Sequence, residues 1–166
     1  MSQAPQRSQQ WHEARKSKIT GSVSGAILGL NPYMTPEAVM RRLVRDFHRQ
    51  ESEFTGNIAT EYGQNHEPLA LLGYINKTGN AVDEVGFFVH PVYDWLGASP
   101  DGIVNDETVL EIKCPFSLRN ELLPQFKSIE SQPHYYAQLQ LEMACTGKKQ
   151  AHFYQWNQYS DSLEIV

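Results

Sequence analysis

The chain has 166 residues, 40% apolar and 11% aromatic, enough for one substantial core and too few for two independent ones. Its net charge of −5 offers no global attraction to a polyanion, so nucleic-acid binding would have to rest on local clusters such as Arg15, Lys16, Lys18 and Arg119. No apolar run reaches the roughly eighteen residues of a membrane span and no leader-like segment opens the chain, so a cytoplasmic protein is expected; two cysteines, Cys114 and Cys145, are too few for a four-thiolate metal site and read as free thiols.

In chain order, residues 1–10 lack apolar periodicity and are expected to form a disordered tail, with 11–166 as a single domain. A short helix over 11–16 leads to Ser22, placed to cap a helix over 23–28 that Gly29 ends. Thr35 and Pro36 cap and open a stronger helix with Met40, Leu43, Val44 and Phe47 on its buried face, and His48 and Arg49 near its end suit the helix dipole. Another helix is expected over 57–77, with Ala59, Tyr62, His66, Leu69 and Gly73 along one side and a kink or fresh start at Pro68. Strands follow at 82–89, 95–98, 102–104 and 108–114, the last two joined by a turn at Asn105-Asp106. A helix from about 118, a second over 132–146 capped by Ser131 and closed by Gly147, and a strand at 151–156 complete a mixed α/β (α+β) domain with a central mixed sheet flanked by helices.

The chemistry lies in Pro100-Asp101, nine intervening residues, and Glu111-Ile112-Lys113. Residues two apart on a strand share a face, so Glu111 and Lys113 project together while Ile112 turns into the opposite, buried side. The turn at Asn105-Asp106 returns Asp101 beside Glu111, and Glu67, from the helix at Pro68, closes the cluster. Three carboxylates in contact repel one another, and a hard divalent cation, Mg2+ with Mn2+ able to substitute, relieves this through oxygen ligation. Lys113 is then placed to hold the attacking water or to stabilise developing charge. The plain alternative is a charged strand edge, against which stands the apolar frame from Val109 to Phe116, where idle charge is costly.

These residues match a known pattern. Gly97-Ala98-Ser99-Pro100-Asp101-Gly102 followed by Leu110-Glu111-Ile112-Lys113-Cys114-Pro115-Phe116 resembles the YqaJ-like viral recombinase family, the phage lambda exonuclease type among PD-(D/E)xK nucleases. Trp11-His12-Glu13-Ala14-Arg15 with Ile19-Thr20-Gly21-Ser22, then Gly63-Gln64-Asn65-His66-Glu67, then Tyr136-Ala137-Gln138-Leu139-Gln140 resemble further family blocks in the family's order. The resemblance implies a restriction-endonuclease-like core and a 5′-to-3′ exonuclease acting on linear double-stranded DNA with a 5′-phosphate. It would leave 3′ single-stranded overhangs for a single-strand annealing protein in phage-type recombination. Also implied are a phage or prophage origin, a homotrimeric assembly, and two magnesium ions held by Glu67, Asp101, Glu111 and the backbone carbonyl of Ile112. Lys113 and Gln138 would handle the nucleophilic water, and Arg15, Ser22, Ser99 and Arg119 would grip the terminal phosphate, as guanidinium forks and hydroxyls suit.

Each assignment has a plainer counterpart. Ser22 can simply cap a helix, Arg15 and Arg119 can be surface charges, and Gln138 can sit on a solvated face. Trp11 and Tyr136 are expected in the core, and His66 to pack or touch DNA. Thr60 stands where the lambda type presents an apolar wedge, a departure that leaves strand separation open. A structure- or site-selective endonuclease on the same fold, and a catalytically inactive DNA-binding relative, are the competing functions.

Overall fold

The structure is a computed structural model, and it describes residues 4–48 and 56–166. The chain runs α1 (Gln9–Arg15), β1 (Ile19–Thr20), α2 (Gly21–Ile27), α3 (Pro36–Phe47), α4 (Ile58–Thr78), β2 (Val82–Asp83), β3 (Phe88–Val89), β4 (Leu96–Ala98), β5 (Gly102–Val104), β6 (Thr108–Lys113), α5 (Pro133–Thr146), β7 (Gln150–Trp156) and β8 (Asp161–Ile165). The main sheet has the order β2-β5-β6-β7-β8, with β6 and β7 parallel and the other pairs antiparallel; a second sheet has the order β1-β4-β3. Among the described residues no helix is long and apolar enough to cross a membrane.

Alternation along β6 sets the plan. Leu110 and Ile112 face one side, packing with Tyr154, Val104 and the α4 residues Ala70 and Tyr74. Val109 faces the other with Ile103, Ala151, Phe153 and Leu139 of α5. The sheet is therefore covered by α4 on one face and α5 on the other, the mixed architecture expected. The hairpin that joins β5 to β6 turns at Asn105 and Asp106, both at positive φ (49° and 60°), a conformation these short polar residues tolerate. Gly25 lets α2 lie directly on α5, since a Cβ there would stand 2.6 Å from His134 Cα.

Several local expectations change. Residues 4–10, expected in a tail, make contacts: Ala4 is buried, Ser8 caps α1 by accepting from Trp11 N, and Gln6 donates to the Pro100 carbonyl at 2.8 Å. Residues 1–3, and Arg49 with its expected dipole contact, lie outside the described residues. Thr20, not Ser22, is the cap residue of α2. In α3, Val39 is the buried residue, with Leu43 packed beside it, whereas Met40, Val44 and Phe47 are exposed; short α2 covers only part of a wide apolar arc.

Helix α4 continues through Pro68 without a fresh start. Gln64, whose carbonyl loses its donor to the proline, lies with Pro68 on the exposed side, where water can satisfy it. The buried residues of α4 are Ala70 and Tyr74; of the side expected, Ala59 and Leu69 are exposed, whereas Gly73 does lie on the sheet, where a Cβ would stand 3.0 Å from the Tyr154 hydroxyl.

Residues 82–89 are not one strand: β2 and β3 belong to different sheets. The chain leaves the first to bury Phe87, against which a Cβ on Gly97 would come to 2.1 Å. The helix expected from 118 is only a 3-10 turn at Phe116–Leu118, because Pro124 soon follows and Asn157 Nδ2 holds the Leu118 and Glu121 carbonyls at 2.8 Å each. Helix α5 is capped at Gln132, while Ser131 Oγ donates to Ser128 O within a preceding 3-10 turn.

Candidate functional site

The parallel β6–β7 pair places Glu111 opposite Phe153 and Lys113 opposite Gln155, and both acid and amine emerge on the α5 face. Lys113 Nζ donates to Glu111 Oε1 at 2.6 Å. Asp101 comes back beside them because its N–H bonds the Leu110 carbonyl at 2.9 Å, and its Oδ2 accepts from Ile112 N at 2.7 Å. Glu67 approaches from α4 and is paired with Arg7, a residue held at positive φ (67°) in the N-terminal segment. Glu67, Asp101, Glu111, Ile112 and Lys113 all line one cleft of about 1050 Å³, whose walls include Tyr33, Thr60 and His134.

Their electrostatics show a crowded acidic site. Burial, then Glu111 and Glu67, push the Asp101 carboxyl well above its usual range. Burial also raises Glu67, with Arg7 opposing and Glu111 adding to the rise. Burial alone would depress the Lys113 amine, but the carboxylates of Glu111 and Asp101 and the nearby Tyr135 more than reverse it, so it stays charged. Burial raises both free thiols, Cys114 to about 12 and Cys145 to about 11, which suits inert structural cysteines.

Gln138 is buried, not solvated: Nε2 donates to Glu111 Oε1 at 2.7 Å and Oε1 accepts from Lys113 Nζ at 3.3 Å. Its nitrogen also donates to Glu142 Oε1 at 2.9 Å. Glu142 went unnoticed in the sequence, although it lies one helical turn beyond Gln138 on the same face. Burial and then Glu111 hold its carboxyl well above the usual range. Arg7 was also unforeseen, because the contact spans sixty positions in sequence.

The four phosphate-pocket residues are treated unequally. Arg15 stacks on Trp11, its Cζ 4.0 Å from the ring centroid, and Nη2 reaches Ser22 Oγ at 3.4 Å. Burial, then Arg42, lower its pKa to about 10, which marks a second guanidinium nearby that the sequence reading did not pick out. Ser22 lines the cleft. Ser99 is engaged elsewhere, accepting from Trp11 Nε1 at 2.7 Å and donating to the Gly86 carbonyl at 3.1 Å, so it braces the indole on which Arg15 lies. Arg119 stacks on Phe116 and donates to that residue's carbonyl at 2.7 Å.

Of the other cations expected to cluster, Lys16 pairs with Glu13, and Lys18 donates to the Asp94 carbonyl. Tyr136 is exposed, and Tyr135 packs in the core instead. His66 stacks on Tyr62 at 3.9 Å, a packing role.

Whether the acids suit a metal can be judged from their oxygens. Among the described residues no three acidic, histidine or cysteine side chains stand in position around a common ion. Lys113 and Arg7 occupy Glu111 and Glu67 as counter-charges. Yet Glu111 Oε2 and Glu142 Oε2 are both buried with no partner, and carboxyl oxygens left so are costly unless a cation or a proton meets them. Crowded carboxylates and an orphan oxygen make a hard, all-oxygen donor set of the kind Mg2+ prefers.

The chain is similar to known proteins in both sequence and fold. Residues 10–149 match the family model described as the YqaJ-like viral recombinase domain. The fold is similar to that of an alkaline exonuclease from Laribacter hongkongensis, with TM-score 0.77 and 29% identity over 96% of this chain and 81% of that one. It is equally similar to that enzyme in complex with dAMP, with TM-score 0.78, 29% identity, and coverage of 96% and 82%. A phage-related exonuclease from Haemophilus somnus shares the fold at 16% identity and TM-score 0.65, over 84% of this chain and 68% of that one. An uncharacterised protein of Acanthamoeba polyphaga mimivirus is 25% identical over 92% of this chain, which spans only 29% of that relative's length.

Proposed function

The chain belongs to the YqaJ-like viral recombinase domain family, and on that premise we propose that it is a magnesium-dependent 5′-to-3′ exonuclease of linear double-stranded DNA. The observation that carries the reading is Glu111. One of its oxygens is held by the Lys113 amine and the Gln138 amide, and the other is buried and unpartnered.

In this reading Glu67, Asp101, Glu111 and the Ile112 carbonyl hold two Mg2+ ions, or Mn2+ in their place. Such ions, when bound, lower the pKa of water and neutralise charge on the scissile phosphate. Arg7 pairs with Glu67 Oε2, so it acts as the counter-ion of that acid until the metal is bound. Lys113 and Gln138 share the Glu111 oxygen and orient the attacking water toward the phosphorus. Arg15, with Ser22, receives the terminal 5′-phosphate through charge-assisted bonds, and Arg119 adds a second guanidinium. Thr60 lines the cleft without the bulk of an apolar wedge, so separation of the strands falls to other cleft residues.

The products are 3′ overhangs, handed to a single-strand annealing protein in the cytoplasm of a phage-infected host. The assembly we infer is a homotrimer around DNA. Incubation with linear 5′-phosphorylated duplex and Mg2+ tests the reading, with a covalently closed circle alongside. The linear duplex should be consumed from its 5′ ends and the circle spared; Asp101→Ala should be inactive yet folded by circular dichroism. Cutting of the circle would replace this reading with the endonuclease one, and no cleavage of either would leave a DNA-binding relative.

A further inference from the structure

Glu142 has no part in the chemistry just described, yet its position ties it to that chemistry. It is 1% exposed, on α5 among residues such as Leu139 and Met143 that pack the core. A carboxyl is a costly residue to bury there, and an apolar side chain would fill the space without that cost. Its contacts point to what holds it in place. Oε1 accepts from Gln138 Nε2 at 2.9 Å, and that nitrogen also donates to Glu111 Oε1 at 2.7 Å. Both N–H groups of the Gln138 amide are thereby committed to carboxyl oxygens, and its own oxygen is turned toward Lys113 Nζ.

A terminal carboxamide rotates in a broad, roughly two-fold well, so one hydrogen bond would orient it poorly. Two acceptors on the nitrogen and one donor on the oxygen leave a single arrangement. The first turn of α2 lies against the same pair: a Cβ on Gly21 would be 3.3 Å from Gln138 Cγ and 3.5 Å from Glu142 Oε1.

We propose that Glu142 is a positioning residue that locks the Gln138 carboxamide and, through it, the Lys113 and Glu111 pair in cleaving geometry. This rests on the reading of Glu111, Lys113 and Gln138 as the hydrolytic group. The test compares kcat and KM of wild type, Glu142→Met, Glu142→Gln, Gln138→Ala and the Gln138→Ala/Glu142→Met double variant on linear 5′-phosphorylated duplex with Mg2+.

Glu142→Met follows the same side-chain path without an acceptor and should lower kcat by about tenfold to a hundredfold with KM unchanged. Glu142→Gln keeps an accepting oxygen and should restore the rate. In the Gln138→Ala background the Met substitution should cost nothing further, because its route is gone. A Met variant with wild-type kcat, or an added loss in the double variant, would overturn the proposal.

A second measurement needs no core variant. In the wild-type protein the Gln138 side-chain N–H signals should resist exchange with solvent, whereas exchange as fast as that of exposed Gln140 would refute the lock. Wild type compared with Lys113→Ala checks the nuclease reading separately: equal activity there would remove the hydrolytic group itself while leaving the exchange result standing.

Discussion

Replacing Lys113 by Met probes the balance of charge in the site without opening a cavity. The side chain is of similar length, so the main change is loss of the amine that sits 2.6 Å from Glu111 Oε1, with the two side chains only 23% and 5% exposed. Breaking a buried pair from one side typically costs about 3–5 kcal/mol, because the surviving charge is stranded. Here Gln138 still donates to the same oxygen, so the lower end, about 3 kcal/mol, is expected. For a domain of this size that lowers the melting temperature by about 6–12 °C in metal-free buffer.

One further sign distinguishes charge from packing. The deficit should shrink on adding Mg2+, which supplies the missing counter-charge. Differential scanning calorimetry with and without the ion reads both effects. A melting temperature equal to wild type, or a deficit indifferent to Mg2+, would refute the reasoning.

Mg2+ at a hundredfold excess over its dissociation constant should stabilise the wild-type protein by about 2.7 kcal/mol, or about 5–11 °C, for one site on the native state. Asp101→Asn should lose most of that shift. Arg15→Ala or Arg119→Ala should chiefly reduce the preference for 5′-phosphorylated over 5′-hydroxyl ends, by about tenfold or more for a lost charge-assisted bond; equal loss on both ends would count against the pocket. His152, whose Nδ1 lies 2.6 Å from the Tyr74 hydroxyl, is held below 6.5 by burial. Below about pH 6.5 the unfolded chain therefore binds a proton that the folded one refuses, and stability falls as pH drops through that value. Urea midpoints should show a shallower fall in His152→Gln.

Strands β5, β6 and β7 and the shared face of Glu111 and Lys113 were legible because each rests on a short-range rule. Two-residue alternation fixes Glu111, Ile112 and Lys113, and a local turn returns Asp101. What was missed depends on partners distant in sequence. Arg7 reaches Glu67 across sixty positions, and the α3 stripe of Met40, Val44 and Phe47 was read as buried because periodicity finds an apolar arc without saying how much of it a neighbour covers. The side-chain type of Ser22 suits both a helix cap and a phosphate contact; Thr20 holds the cap position, and Ser22 lies at the cleft wall beside Arg15. Glu142 was overlooked because an isolated Glu in a helix ordinarily lies on the surface, and only the tight packing of α2 through Gly21 and Gly25 encloses it.

The parallel pairing of β6 with β7 bears on how the molecule comes into being. Parallel neighbours cannot be joined by a tight turn, so residues 114–149 must loop over before the second strand arrives, and α5 is carried on that loop. Contacts of such separation form slowly, after the hairpin of β5 and β6 has had time to close. The amine and the single acid of β6 thus wait for Gln138 and Glu142, and a ribosome-bound fragment lacking α5 should hold the cluster half-built.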